Sequence, residues 1–479
     1  QIGFQETEIV EIARPITKYS YKLKSPYEIR YVLEKAYHIA TSGRPGPVLI
    51  DIPLNFQNLN INEKKLRPFK PKKEIKKNNY IKITKKINSL LKKAKRPVVI
   101  LGGGIKYAKA EKILNKFLKK IKIPILTTWS GTDLIDHNNK NYIGNIGVYG
   151  SRCANFSVQN SDLVFCLGTR LDTRTTGGVP RTFARDAKKI VVDIDRNELN
   201  KKRGLKIDLK INSDLKIFLN NFVKNCTKYS ADYKWFKKNF SWKNKFPIIQ
   251  KKYFNEKKFV NPYVLMDKLS KLTNKDEIII ADDGAHLSWA LQAYKVKGDQ
   301  KLFSAFGNSP MGYSLPASIG ASIAKNKKRI ICIDGDGSIQ INLQELHTID
   351  KLKLPIKILI LNNDGFGIIK QFQDLYLGGR YEAAGKGVTN PDFKKVSAAF
   401  NINYNVIKNH KSLNKLGKII RSKKAEIIEI KIKPNQKIIP KLQFGNPIED
   451  LFPLLPRKEF LSNMIVPTIK KKSKIIEIN

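Results

Sequence analysis

"IDGDGSIQINLQELHTIDKLKLPIKILILNND", residues 333–364, decides how the rest of the chain is read. It joins an apolar strand ending in Gly335-Asp336-Gly337-Ser338 to a segment with helical spacing of its apolar residues. A second apolar run, IKILIL, follows and ends in Asn362-Asn363-Asp364. Short, uninterrupted apolar strands separated by a helix are the pattern of a parallel sheet covered on both faces. In such sheets ligands gather outside the carboxyl ends of the strands. Both polar clusters fall at strand carboxyl ends, so they are expected to converge on one edge.

The chemistry of that edge follows from the residue types. The glycines permit turns and close approach, and Ser338 with its neighbours opens a helix whose free amides can hold a phosphate. Asp336 is a hard oxygen donor. Together with an amide oxygen from the Asn pair and a backbone carbonyl, it makes a Mg²⁺ site of the kind completed by phosphate oxygens and water. Taken singly, the glycine turn reads as an ordinary turn and the Asn pair as a helix cap. On successive strands of one unit they read as a cation-diphosphate clamp. That accounts for acid concentrated here in a chain whose formal net charge is +49. Asp334 and Asp364 are read as turn or supporting residues rather than as metal ligands.

The same pattern extends outward. "DEIIIADDGAH", "GYSLPASIGASIAKN" and the late strand "AEIIEIKI" complete a unit over residues 259–440. "RPVVILGGGI", the helix "KYAKAEKILNKFLKKIK", "IPILTTWSG", "DLVFCLGTRLD" and "KKIVVDIDRNEL" form another over 81–224. Residues 1–58 read as the closing part of an α/β domain, with a helix starting at Ser25-Pro26, stopping at Gly43, and followed by the strand in "PGPVLIDIP". Polar stretches 59–80 and 225–258 read as linkers and 441–479 as a tail. The expected fold class is α/β, with three doubly wound parallel-sheet domains, the first only partly present.

Composition narrows the function classes. No run approaches the ~18–20 apolar residues of a membrane span, and the first residues lack a signal-peptide pattern, so a cytoplasmic protein is expected. The chain does not start with Met and its first residues read like domain interior, so an upstream portion is expected. Four cysteines form no CxxC pair and five histidines no HExxH motif. A pI near 10.0 invites a nucleic-acid reading. The lysines are scattered, however, with no arginine stripe or recognition motif, which favours a solvated basic surface and no specific nucleic acid.

With these motifs in order, the chain resembles the thiamine diphosphate enzymes of the acetolactate synthase group, from Phe4 to about residue 435. "FQETEIVEIARPITKYSY" and "GRPGPVLIDIP" resemble the end of the family's pyrimidine-binding domain. "VVILGGGI", "GNIGVYGSRCANFSVQNSDLVFCLGTRLDTRTTG" and "VVDID" resemble its central domain. "DDGAHLSWALQ", "MGYSLPASIGA", "GDGSIQINLQEL" and "LNNDGFGIIKQFQ" resemble its diphosphate-binding domain.

The resemblance implies Mg²⁺ on Asp336, the Asn363 side chain and the Gly365 carbonyl. It implies thiamine diphosphate against His286, Gly335, Gly337 and Ser338, with Met311 on the aminopyrimidine and Ile368 pressing the cofactor into its bent form. Phe4 and Gln5 would reach a partner's site in a homodimer or homotetramer. FAD, inert in redox terms, is implied at Gly102, Gly103, Gly104, Thr127, Thr128, Gly168, Arg170, Asp172, Arg174 and Asp195. A central domain without ligand is the alternative.

The family's glutamate, which protonates the pyrimidine, would precede Phe4, so this chain alone is expected to be an inactive fragment. The implied reaction is decarboxylation of a small 2-keto acid, pyruvate foremost, with carboligation to a second carbonyl. Departures at Ala285-His286-Leu287, Ile368 and Phe372 keep other readings open. These are a related decarboxylase or lyase, a keto-sugar carboligase of surface-polysaccharide synthesis, or a non-catalytic cofactor-binding homologue.

Overall fold

Sixteen strands are described over residues 3–71, 78–385 and 387–469 of the computed structural model. β1 (Tyr19–Lys22) and β2 (Val48–Asp51) pair in parallel as a two-stranded sheet. Between them Ser25 caps the first turn by accepting from the Tyr27 amide, the helix Ile29–Thr41 follows, and Gly43 takes φ 59° beyond its end. Capping at Ser-Pro and release at a left-handed glycine are the local signals expected of this helix.

The central unit contributes β3 (Pro97–Leu101), β4 (Ile121–Lys122), β5 (Ile125–Thr127), β6 (Tyr142–Asn145), β7 (Leu163–Leu167), β8 (Lys188–Asp193), β9 (Leu209–Asn212) and β10 (Tyr229–Ser230). Six of these form an all-parallel sheet in the order β6-β5-β3-β7-β8-β9, while β4 pairs with β10 apart from it. Strands β3 and β7 are buried along their whole length, which is why their sequences carry no alternation.

The third unit holds β11 (Ile278–Ala281), β12 (Lys301–Phe303), β13 (Ile330–Gly335), β14 (Ile356–Asn362), β15 (Asn403–Ile407) and β16 (Glu426–Lys431), again all parallel, in the order β12-β11-β13-β14-β16-β15. Two six-stranded parallel sheets with helices between their strands are the doubly wound architecture the motifs implied.

Strand order fixes where each sheet can bind. In the central sheet the chain winds outward from β3 through β5 to β6, then returns to β7 and winds the other way to β9. The direction therefore switches between β3 and β7. In the third sheet it switches between β11 and β13, whose neighbours β12 and β14 lie on opposite sides. Loops leaving the two strands at such a point diverge and open a crevice above the sheet.

Three local expectations change. The segment expected as one helix after β3 is two, Gly104–Tyr107 and Glu111–Lys120, separated by Lys109 at φ 50°. The turn lets the second helix lay Leu114 and Phe117 on the sheet while the first stays against the strand ends. Residues 225–258, read as a linker, contain β10 and the helix Tyr233–Lys245. Its Trp235 and Trp242 are buried in the central core, with indole N–H groups donating to Pro97 O at 3.0 Å and Asn463 Oδ1 at 2.9 Å. After β13 the chain makes a short 3₁₀ turn, Ile339–Asn342, before the helix Glu345–Lys351 begins.

The tail docks on the central unit. Leu442, Ile448, Leu451 and Phe460 join its core, and the Asn155 side chain donates to Ile448 O at 2.8 Å. Phe444 also stacks on Tyr376, at the end of the helix Gly367–Tyr376, with ring centroids 4.6 Å apart. The linker residues 72–77 and tail residues 470–479 lie outside the described part. Among the described residues no helix is long and apolar enough to cross a membrane.

Candidate functional site

The third sheet's switch point gathers the loops after β11, β13 and β14. Asp336, buried after β13, accepts from the Gly365 amide at 3.0 Å and from Asn390 Nδ2 at 2.8 Å, both on its Oδ2. Burial raises the Asp336 carboxyl above the ordinary range, and these donors pull it back. The β14 loop thus meets the β13 loop directly, as two polar clusters at neighbouring strand ends should.

Asn363 is buried, and its Nδ2 has no partner among the described residues. His286, on the helix Ala285–Ala293 after β11, is likewise buried with Nε2 unpartnered. Burial pushes its ring down to about 3, so the imidazole is neutral at physiological pH. A buried polar atom without a partner costs roughly 1–3 kcal/mol. Two of them at the strand ends of one sheet are what a site that binds a polar group from outside requires; the Nδ2 donor fits a diphosphate oxygen, whereas a cation would take the Asn363 Oδ1.

The cradle is narrow. A Cβ on Gly337 would stand 2.4 Å from the Phe366 ring, so only glycine lets the β13 turn pass under the β14 loop. Gly335 abuts the His286 ring, where an added Cβ would lie 2.9 Å from the imidazole.

Ser338 differs in detail from its expected role. Its hydroxyl is engaged in a close hydrogen bond with Asp334 and accepts from the Gly335 amide at 3.1 Å. Met311 lies at the crevice loop, 40% exposed, and Ile368 stands half-buried on the helix Gly367–Tyr376. Phe4, 95% exposed, and Gln5, at φ 63°, are not brought to this edge.

Beneath the crevice Asp282, His286 and Asp334 offer ligand atoms within 4.8 Å of one another. Their oxygens are already committed. Asp282 accepts from the amides of Asp283, Gly312 and Ser314, and Asp334 accepts from the Gly335 amide and from Ser314 Oγ at 2.7 Å. Burial, then the neighbouring Asp282, lifts the Asp334 carboxyl well above the ordinary carboxylate range. The pair pins the loop 309–314 to the ends of β11 and β13. Asp364 is exposed at φ 51° and shapes its turn, in line with its reading as a turn residue.

The central sheet's switch point opens a cavity of about 900 Å³. Gly103, Gly104, Thr128, Gly168, Arg170, Asp172 and Arg174 line it as expected. Gly102 stands behind the wall, where a Cβ would meet Gly168 O at 2.2 Å, and the two glycine turns are joined by the Gly104 amide donating to Gly168 O at 3.0 Å. Arg174 lies over the Trp129 ring at 4.5 Å.

Two expected residues sit elsewhere. Asp195 does not line the cavity but caps its own helix and stands 3.6 Å from Arg44, and Thr127 points into the sheet interior toward Asn145. Asp193, two positions earlier, takes the lining place. Arg44 from the first segment and Ser304 to Asn308 from the third unit close the walls. Sequence reading missed them, and only the "SGRPG" turn, taken merely as a helix stop, signalled the first.

Comparison with known proteins matches residues 84–222 to the family described as thiamine pyrophosphate enzyme, central domain, and residues 282–430 to thiamine pyrophosphate enzyme, C-terminal TPP binding domain. The acetolactate synthase large subunit of Cyanidium caldarium is 32% identical over 96% of this chain and 80% of its own length. That of Lactococcus lactis subsp. lactis is 31% identical over 92% and 76%. The isozyme 2 large subunit of Escherichia coli is 29% identical over 84% and 70%.

Proposed function

Because the chain belongs to the thiamine pyrophosphate enzymes of the acetolactate synthase large-subunit family, we propose that it decarboxylates a 2-keto acid, pyruvate foremost, and joins the remaining two-carbon unit to a second carbonyl. The observation that carries this is the pair of unpartnered buried groups, Asn363 Nδ2 and His286 Nε2, at the same strand ends as Asp336 and Gly337.

When bound, thiamine diphosphate supplies the electron sink for the carbanion chemistry. In this reading Asp336, the Asn363 side chain and the Gly365 carbonyl hold Mg²⁺. The neutral His286 ring, Gly335, Gly337 and the Ser338 backbone meet the diphosphate, His286 contributing a hydrogen bond rather than charge. Met311 and Ile368 give the cofactor rings an apolar bed that excludes water. FAD is part of the proposal. The central order β6-β5-β3-β7-β8-β9 is that of dinucleotide-binding sheets, and a cavity of about 900 Å³ suits a cofactor of that class. A homodimer, with the exposed Phe4 and Gln5 reaching a second copy, and a cytoplasmic setting complete it.

Titration of the protein with thiamine diphosphate, with and without Mg²⁺, tests the core of this reading. Binding that needs Mg²⁺ and is lost in Asp336→Asn is expected. Equal binding by both proteins, indifferent to metal, overturns it. Acetolactate from pyruvate is the product expected of an assembly that also supplies the pyrimidine-protonating glutamate. A flavin absorption band in the purified protein tests FAD, and light scattering tests the dimer.

A further inference from the structure

Asn363 and Gly365 sit on a turn that something must hold rigid, because both Asp364 and Gly365 take positive φ, 51° and 136°. Asn362, the last residue of β14, does the first part of this. Its Oδ1 accepts from the Asp364 amide at 3.1 Å, closing the turn with its own side chain. An amide used this way must keep its oxygen toward the turn, so its nitrogen needs a fixed acceptor on the other side.

That acceptor is Glu429, one strand away. β16 pairs with β14 in a register that sets Glu429 beside Ile360 and Asn362 beside Lys431. Glu429 Oε1 accepts from Asn362 Nδ2 at 2.7 Å and from Lys431 Nζ at 2.6 Å, and Oε2 accepts from the Tyr404 hydroxyl on β15. The carboxylate is buried, yet Lys431, Tyr404 and Asn362 outweigh the burial cost and keep it ionised.

We infer that Glu429 is a positioning residue for the cation: through Asn362 it sets the turn that presents Asn363 and Gly365 opposite Asp336. The inference rests on the reading of those three residues as the Mg²⁺ site. The chain of contacts is continuous, since the Gly365 amide also donates to Asp336 Oδ2 at 3.0 Å. One rigid path therefore runs from β15 and β16 through the turn to the metal-facing carboxylate. Supporting partners of metal ligands typically contribute about 10- to 100-fold in metal affinity.

The test uses Mn²⁺ as the probe, its free signal followed by electron paramagnetic resonance with thiamine diphosphate present. Glu429→Ala is expected to weaken Mn²⁺ binding about 10- to 100-fold, with cofactor binding restored at high metal, a rescue that a general loss of structure would not give. Glu429→Gln keeps an oxygen for Asn362 and an amide N–H for the Tyr404 oxygen, and is expected to stay within about threefold of the parent, well inside the loss that removing a supporting partner causes.

Should Glu429→Ala fail to fold, Glu429→Met with Tyr404→Phe leaves no orphaned hydroxyl and carries the same expectation. Parent-like Mn²⁺ affinity in folded Glu429→Ala, or in the folded Glu429→Met/Tyr404→Phe double variant, overturns the inference. If Asp336→Asn abolishes Mn²⁺ binding in the same series, only the role of Glu429 falls. If Asp336→Asn has no effect either, the metal site itself is misassigned.

Discussion

Lys441 gives a prediction whose size and sign both follow from its surroundings. The residue is only 5% exposed, and its ammonium has no ion pair or hydrogen bond among the described residues. It lies 5.8 Å from the centre of the Tyr149 ring. Its backbone is locked to Phe452 by two hydrogen bonds, so the side chain cannot leave without moving the tail. Burial alone lowers its amine from 10.5 to about 8.

A displacement of that size corresponds to at most about 3 kcal/mol against folding at neutral pH, reduced to about 2 by the water that the amine's end retains. Replacing Lys441 with Met keeps the length and removes the charge, so the variant should be about 2 kcal/mol more stable at pH 7. The sign of the pH dependence follows from proton binding. Between about pH 8 and 10.5 the unfolded chain keeps the proton and the folded chain has lost it, so the parent gains stability as pH rises through that window. The variant lacks this gain. Urea unfolding at pH 7 and pH 10, followed by indole fluorescence, should show the Met variant ahead at pH 7 and the gap closing at pH 10. A gap that does not change with pH, or a less stable variant at pH 7, refutes the reasoning.

Two substitutions separate binding from stability at the crevice. Asn363→Ala removes an orphaned buried amide, so its unfolding midpoint should match or exceed the parent's while Mg²⁺-dependent thiamine diphosphate binding, measured by calorimetry, is lost. A large drop in stability would mean that the amide has a structural partner. Gly337→Ala puts a methyl 2.4 Å from the Phe366 ring and should destabilise by about 1–3 kcal/mol with loss of cofactor binding. Pairing it with Phe366→Leu should recover part of both in the same denaturation and binding assays.

How much of this was legible in the sequence depends on the range of the interaction involved. Asp336, Asn363 and the glycines around them are punctuation at strand ends, and local chemistry alone places such residues on the carboxyl edge of a parallel sheet. Gly103 and Gly104 were legible for the same reason, and Gly168 through the family resemblance. The switch points were not, because strand order depends on which strands pair, and periodicity records only that a strand exists. Arg44 and the 304–308 loop reach the central cavity from other units, so no local pattern marks them.

The helix Tyr233–Lys245 was hidden by its lysines, although Trp235, Asn239 and Trp242 at a spacing of four and three do mark one buried face. Glu429 is the sharpest case. In "AEIIEIKI" it reads as one of two acids in an otherwise apolar strand, a residue a sequence reader would expect at the surface. It is buried instead because Asn362 and Tyr404, 67 and 25 positions away, supply donors from the flanking strands. The polar groups that do the chemistry announce themselves by type, whereas the groups that hold them in place are distinguished only by register. A second carboxylate that sequence reading leaves without a role is therefore the natural place to look for what orients the first.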